Sequence, residues 1–167
     1  MAYIVTILLC IAADQAVKFW TVANLELFET KPLLPGLVEL CYVQNTGGGF
    51  SILTEHTWLL TVVTAVLMIV VAWAMVKKLF PHPAAKCTMA LLLGGGLGNL
   101  DDRVRLGYVV DMFHFEFMPS FPVFNVADML IVCGTIGFAA YYLLLHDKIT
   151  AKKKEDSSGS DHPDGNA

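Results

Sequence analysis

Charge is scarce in this sequence. Only 16% of its 167 residues are Asp, Glu, Lys or Arg and 56% are hydrophobic, with a mean hydropathy of +0.60; water-soluble domains carry about 25% charged residues. Basic residues are the scarcer sign, 11 against 15 acids, which excludes nucleic-acid binding by charge. Cysteines are few and unpaired: Cys10, Cys41, Cys87 and Cys133 show no paired spacing, so they read as small buried hydrophobes rather than a disulfide framework or a metal site. The five histidines are scattered beyond helical reach of one another, which removes the usual basis for a His-based metal centre. The chain is too apolar for disorder. Lipid is its expected solvent, and one domain its expected organisation.

Long apolar runs are what it does have. A bilayer crossing takes about 20 mostly apolar helical residues. Thr57–Val76 supplies twenty with no charge and stops at Lys77-Lys78; Met129–Leu145 supplies seventeen behind Asn125 and Asp128; Cys87–Leu100 supplies fourteen. Ala2–Ala23 is a fourth run, interrupted by Asp14, Gln15 and Lys18. It lacks a basic n-region, so a retained anchor is expected rather than a cleaved signal peptide. The predicted fold is a mainly α membrane protein of four transmembrane helices.

Orientation follows from the bases. The loop 77–86 holds Lys77, Lys78 and Lys86 with no acid, and the tail holds Lys148 and Lys152 to Lys154; the connections 24–56 and 101–124 are acidic. Both termini are therefore expected in the cytoplasm, with two loops outside. Residues 1–147 read as one domain and 148–167 as a cytoplasmic disordered tail. Trp58 and Trp20 fall near the outer interface and Trp73 near the inner one, as an aromatic belt requires.

The outer loops are too apolar to be linkers. Leu37–Val43 and Val109–Phe117 are rich in β-branched and aromatic residues, which predicts strands and a small extracytoplasmic β-sheet forming a cradle on the outer membrane face. Alternation places Asp111 on the apolar face with Val109, Phe113, Phe115 and Phe117.

Ionisable residues in or beside a span are costly and usually functional. Asn125 and Asp128 stand i, i+3 at the start of the last span; Asn99 and Asp102 repeat that spacing at the end of the third, with Arg103 at i+4 from Asn99. The plain alternative is helix caps and interhelical hydrogen bonds. Two aspartates close together in a partly dry site share a proton, so one takes a proton from water while the other polarises a carbonyl. Asp14 and Lys18, i, i+4 on the first span, read either as a neutralising pair or as support for such a site.

Five blocks then resemble one family across nearly the whole apolar chain: Ala13-Asp14-Gln15-Ala16-Val17-Lys18; Asn45-Thr46-Gly47-Gly48-Gly49-Phe50-Ser51; Gly98-Asn99-Leu100-Asp101-Asp102-Arg103; Val109-Val110-Asp111-Met112; and Phe124-Asn125-Val126-Ala127-Asp128. In this order they resemble lipoprotein signal peptidase, or signal peptidase II. The resemblance implies an aspartyl peptidase of the bacterial cytoplasmic (inner) membrane that removes the signal peptide of a prolipoprotein, cutting before a diacylglyceryl-modified cysteine. It implies Asp111 and Asp128 as the catalytic pair at the outer face. Asp14, Lys18, Asn45, Gly47, Phe50, Asn99, Asp102, Arg103, Asn125 and Ala127 are implied as support or substrate-binding residues. Partners are the lipidated signal peptide and membrane lipid; no metal, nucleotide or organic cofactor is expected, and the unit is expected to be a monomer. One departure is Gly48-Gly49, where the family more often has alanines.

Three other readings stay open on the residues alone: a Ser51–Lys18 dyad, a non-enzymatic membrane protein relaying protons through Asp14, Asp111 and Asp128, and a family member that binds signal peptides without cutting them. Gly94-Gly95-Gly96-Leu97-Gly98 lacks a preceding strand and reads as close helix packing rather than a nucleotide loop.

Overall fold

The computed structural model describes residues 2–47 and 57–146. The order is α1 (Ala2–Asn24), β1 (Thr30–Leu34), β2 (Val38–Asn45), α2 (Thr57–Val76), α3 (Pro83–Leu106), β3 (Val109–Phe115) and α4 (Val126–Tyr141), whose last turn continues as a π-turn, Tyr142–His146. Ala2–Asn24, Thr57–Val76 and Val126–Leu145 are long and apolar enough to cross a membrane. Their outward faces stay greasy: Val62, Val66, Ile69 and Trp73 of α2 are each more than half exposed. Outside lipid, such a surface is an aggregation hazard.

The central helix is α3, packed on α1, α2 and α4. It is longer than the apolar run Cys87–Leu100. Pro83 opens it where an N–H has no helical partner to lose, His82 caps it by accepting from Ala84 N at 3.2 Å, and Gly107 at φ 81° stops it. The charges at Asp101, Asp102, Arg103 and Arg105 do not interrupt the helix. Its glycines point to three different neighbours. A Cβ at Gly94 would strike Cys10 of α1, at Gly95 the Ala127 carbonyl of α4, and at Gly96 Met68 of α2. Close helix packing is thus what that glycine run does.

The strands form an antiparallel sheet ordered β1-β2-β3. β1 was not expected from the sequence, because Pro32 breaks its strand signature. It is tolerated there because β1 is an edge strand, where a missing N–H costs no ladder bond. The sheet rests on the end of α1 through a core of Leu25, Leu40, Tyr42, Val110 and Met112, with Val17 packed against it. β3 ends at Phe115, where Glu116 N donates to Leu37 O at 3.1 Å, so Phe117 lies past the strand.

The cysteines form no disulfide among the described residues, but the expectation that all are buried fails. Cys10 is buried and Cys41 half-buried, whereas Cys87 and Cys133 are exposed on their helices. An apolar outer surface accepts a thiol as readily as a core does.

Candidate active site

The free edge of β3 is closed by a single residue. Phe124 pairs with Phe113, exchanging Phe113 N→Phe124 O at 2.8 Å and Phe124 N→Phe113 O at 2.9 Å. That bridge delivers the chain to Asn125, the N-cap of α4, beside the strand that carries Asp111. Asn125 Oδ1 accepts from Asp128 N at 2.9 Å while Asp128 Oδ2 accepts from Asn125 N at 3.2 Å, a reciprocal capping box. The plain reading of the Asn125–Asp128 pair as a helix cap is therefore correct, and it coexists with a second role.

With its oxygen committed to the cap, Asn125 must present its NH2 elsewhere. Nδ2 donates to Asp111 Oδ1 at 2.6 Å and to Asn99 Oδ1 at 3.0 Å. Asn99 is fixed the same way: Oδ1 accepts from Lys18 Nζ at 2.9 Å, so Nδ2 donates to Asp128 Oδ1 at 2.8 Å. Asn45 Nδ2 reaches Asp111 Oδ2 at 2.9 Å. Each of the four carboxylate oxygens of Asp111 and Asp128 thus accepts one N–H, which orients both groups and leaves a lone pair on each for a proton or water.

Asp111 is 2% exposed. Burial, and then the negative charge of Asp128, push its carboxyl up to about 7; the hydrogen bonds from Asn45 and Asn125 oppose the shift. The proton shared by such a pair therefore belongs chiefly on Asp111 near neutrality.

The pair faces a cavity of about 250 Å³ whose walls are mostly apolar, from Val109, Phe121, Val123, Ile131 and Val132, with Asn45, Asn99 and Arg103 as its other polar groups. A second cavity of about 290 Å³ shares Asn45 and Asp111 with it and runs along Val43 to Gly47. Arg103 donates to Asn99 O at 3.4 Å and Gly47 O at 3.3 Å, while its buried Nε–H has no partner among the described residues. A buried donor without a partner carries a desolvation cost that an acceptor placed beside it would relieve.

Beneath the pair lies a charged layer. Lys18 Nζ is 2.9 Å from Asp14 Oδ2 and 2.9 Å from Asp102 Oδ2. The expected Asp14–Lys18 pairing is present, but Lys18 serves a second carboxylate as well. Its three donors are all engaged by Asn99, Asp14 and Asp102, and an ion-paired ammonium has no lone pair with which to serve as a base for Ser51. Gln15 is a residue that sequence reasoning passed over: its Nε2 donates to Asp102 Oδ1 at 3.0 Å and Gly98 O at 3.2 Å. The available signal was a polar residue amid an apolar run.

Among the expected site residues, Asp111, Asp128, Asn45, Asn99 and Arg103 come together at the cavity, Asn125 is fully buried and hydrogen-bonded to both aspartates, and Asp14, Lys18 and Asp102 lie behind. Ala127 is fully buried and gives its N–H to Asp14 Oδ1 at 2.9 Å. Gly47 N donates to Asn45 Oδ1 at 2.9 Å, holding the end of β2. Phe50, Gly48, Gly49 and Ser51 lie outside the described residues, as does the tail 148–167. No group of three or more His, Cys, Asp or Glu side chains among the described residues is arranged to hold a metal ion.

The fold is that of two solved bacterial membrane enzymes determined by the in meso method. The one at 2.3 Å resolution has a TM-score of 0.79 and 22% identity, covering 99% of this chain and 94% of that one. The one at 1.9 Å has a TM-score of 0.77 and 24% identity, covering 87% and 94%. The model of the family signal peptidase (SPase) II matches residues 6–144. Lipoprotein signal peptidases of Streptococcus pyogenes serotypes M2 and M5 are 41% and 40% identical to this chain over 138 residues, 80% of this chain and 88% of each relative. The chain belongs to the signal peptidase II family. Membership makes it a peptidase and displaces the proton-relay reading.

Proposed function

We propose that the protein removes the signal peptide of prolipoproteins by aspartyl catalysis, cutting just before a diacylglyceryl-modified cysteine, with Asp111 and Asp128 as the catalytic pair. The observation that carries this reading is the bridge made by Asn125, whose side chain holds Asp111 and whose backbone N–H holds Asp128. A pair so oriented, with the shared proton on Asp111, is set for general acid–base hydrolysis.

Ionised Asp128 takes a proton from a water molecule as that water's oxygen attacks the scissile carbonyl carbon. Protonated Asp111 donates to the carbonyl oxygen, and Arg103 Nε–H supplies a further donor to a substrate carbonyl. Collapse of the tetrahedral species breaks the C–N bond. The departing amine, on the lipidated cysteine, leaves with the proton held by Asp128, and Asp111 regains its own.

The membrane plan that suits this chemistry has four spans, α3 joining the three helices that are long and apolar enough to cross a membrane. Residues 1–147 form one domain in the bacterial inner membrane, and both termini and the tail 148–167 are cytoplasmic. The sheet and active site are then at the outer face. The basic loop 77–86 and the apolar outward helix faces support this placement. In this frame the cavity lies where a small-residue signal peptide, still anchored by its diacylglyceryl group, meets water. Asn45 and Gly47, on the wall of the second cavity, extend the substrate path.

The test is cleavage by the purified protein in lipid vesicles of a prolipoprotein with and without the diacylglyceryl group. Only the lipidated form is expected to be cut, and mass spectrometry is expected to find the modified cysteine as the new N-terminus. Equal cleavage of both forms, or a cut elsewhere, would contradict the proposed specificity.

A further inference from the structure

We propose that Lys18 is a positioning residue that sets the spacing of Asp111 and Asp128. It does so by tying together two buried carboxylates, each of which holds the peptide N–H immediately preceding one member of the pair. This rests on the assignment of Asp111 and Asp128 as catalytic.

The geometry is paired. On one side, Asp14 Oδ1 accepts the N–H of Ala127 at 2.9 Å, one residue before Asp128. On the other, Asp102 Oδ2 accepts the N–H of Val110 at 3.1 Å, one residue before Asp111. Lys18 Nζ stands 2.9 Å from an oxygen of each carboxylate. Its third hydrogen goes to Asn99 Oδ1 at 2.9 Å, and Asn99 in turn holds Asp128. A single ammonium on α1 thereby fixes α3, β3 and the start of α4 relative to one another. Asp14, Lys18 and Asp102 are 0%, 3% and 1% exposed, so water does not loosen the unit.

Mere neutralisation of Asp14 would need only the i, i+4 lysine. Placing a second buried carboxyl on the same ammonium adds a further desolvation cost that neutralising Asp14 does not require. Both carboxylates also accept a backbone N–H that lies next to a catalytic aspartate. Gln15 braces the unit by donating to Asp102, and Gly98 makes room for it, since a Cβ there would stand 2.6 Å from Asp14 Oδ2. Three convergent donations from one nitrogen suit a lysine. A planar guanidinium spreads its donors and cannot reproduce them.

The test uses the full chain in lipid vesicles with the lipidated substrate. Lys18→Met is expected to lower kcat about 100-fold, the cost of displacing reacting groups by about 1 Å, with KM within about threefold. Lys18→Arg, which restores charge but not geometry, is expected to recover less than a tenth of the wild-type kcat. Asp14→Asn and Asp102→Asn are each expected to lower kcat about 10- to 100-fold, and the double variant no more than the worse single, because each breaks the same unit. Full activity in Lys18→Met, full rescue by Lys18→Arg, or losses that multiply in the double variant would each overturn the proposal. Should Lys18→Met fail to fold, the aspartate cycle decides. A wild-type protein inactive on every lipidated substrate would instead overturn the functional assignment beneath it.

Discussion

Asn125 Nδ2 lies 2.6 Å from Asp111 Oδ1, so the residue that caps α4 also grips a carboxylate on β3. The cap oxygen and the gripping nitrogen belong to one amide, and the cap dictates which end faces Asp111. Capping of α4 and the orientation of the Asp111–Asp128 pair are therefore set by one side chain.

Those two roles separate experimentally. Asn125→Ser keeps an N-cap acceptor but is too short to reach Asp111. Its melting temperature is expected to fall by about 3–10 °C, since the cap acceptor is kept but the buried Asp111 and Asn99 oxygens lose their donor, a cost of about 1–3 kcal/mol. Its kcat is expected to fall about 10- to 100-fold. A variant with unchanged kcat would show that the Asn125–Asp111 bond is only structural.

The raised carboxyl of Asp111 has a pH signature. In the folded protein the group holds its proton up to about 7, whereas in the unfolded chain it releases it near the ordinary 3.8. Between those values the folded state binds more protons, so this group's contribution to stability falls as pH rises from about 4 to 7 and is flat above. Thermal unfolding of wild type compared with Asp111→Asn across that window is expected to show a steeper downward slope in wild type than in the variant. In the proposed mechanism Asp111 gives its proton to the carbonyl oxygen, so activity is expected to decline as pH passes about 7. Identical pH slopes in the two proteins would contradict the burial of an ionisable Asp111.

Gly98→Ala places a methyl group 2.6 Å from Asp14 Oδ2, and the opposing Ala127 Cβ is already 3.6 Å away. Crowding of this kind costs about 1–3 kcal/mol and pushes Asp14 off the Ala127 N–H. A lower melting temperature together with reduced kcat is expected. Unchanged values for both would mean that Asp14 has room to retreat.

Arg103→Lys keeps a cation at the cavity but removes the Nε–H and the planar fork. Loss of a donor aimed at a substrate carbonyl is expected to lower kcat/KM about 10- to 100-fold, with little change in melting temperature. Full activity would assign Arg103 to charge balance alone.

Local spacing made part of this site legible. Asn125 and Asp128 at i, i+3 announced a shared face, and Asp14 and Lys18 at i, i+4 announced an ion pair; both are present. Spacing was less informative for Asp102. Its i, i+3 relation to Asn99 named no partner, and its partners are Lys18 and Gln15 from α1 and Val110 from β3. Such contacts depend on how helices cross, which the glycines of α3 permit without specifying. β1 was hidden by Pro32, a residue that argues against a strand except at an edge, and no local signal says which strand will be the edge. The thiols of Cys87 and Cys133 were misplaced because in an apolar chain hydrophobicity no longer separates inside from outside.

The most direct test is cleavage of a diacylglyceryl-modified prolipoprotein by Asp111→Asn and Asp128→Asn in lipid vesicles, with melting temperatures measured alongside. Both variants are expected to fold and to show no detectable cleavage under conditions where wild type cuts to completion. Sustained cleavage by either variant would contradict a catalytic pair formed by Asp111 and Asp128.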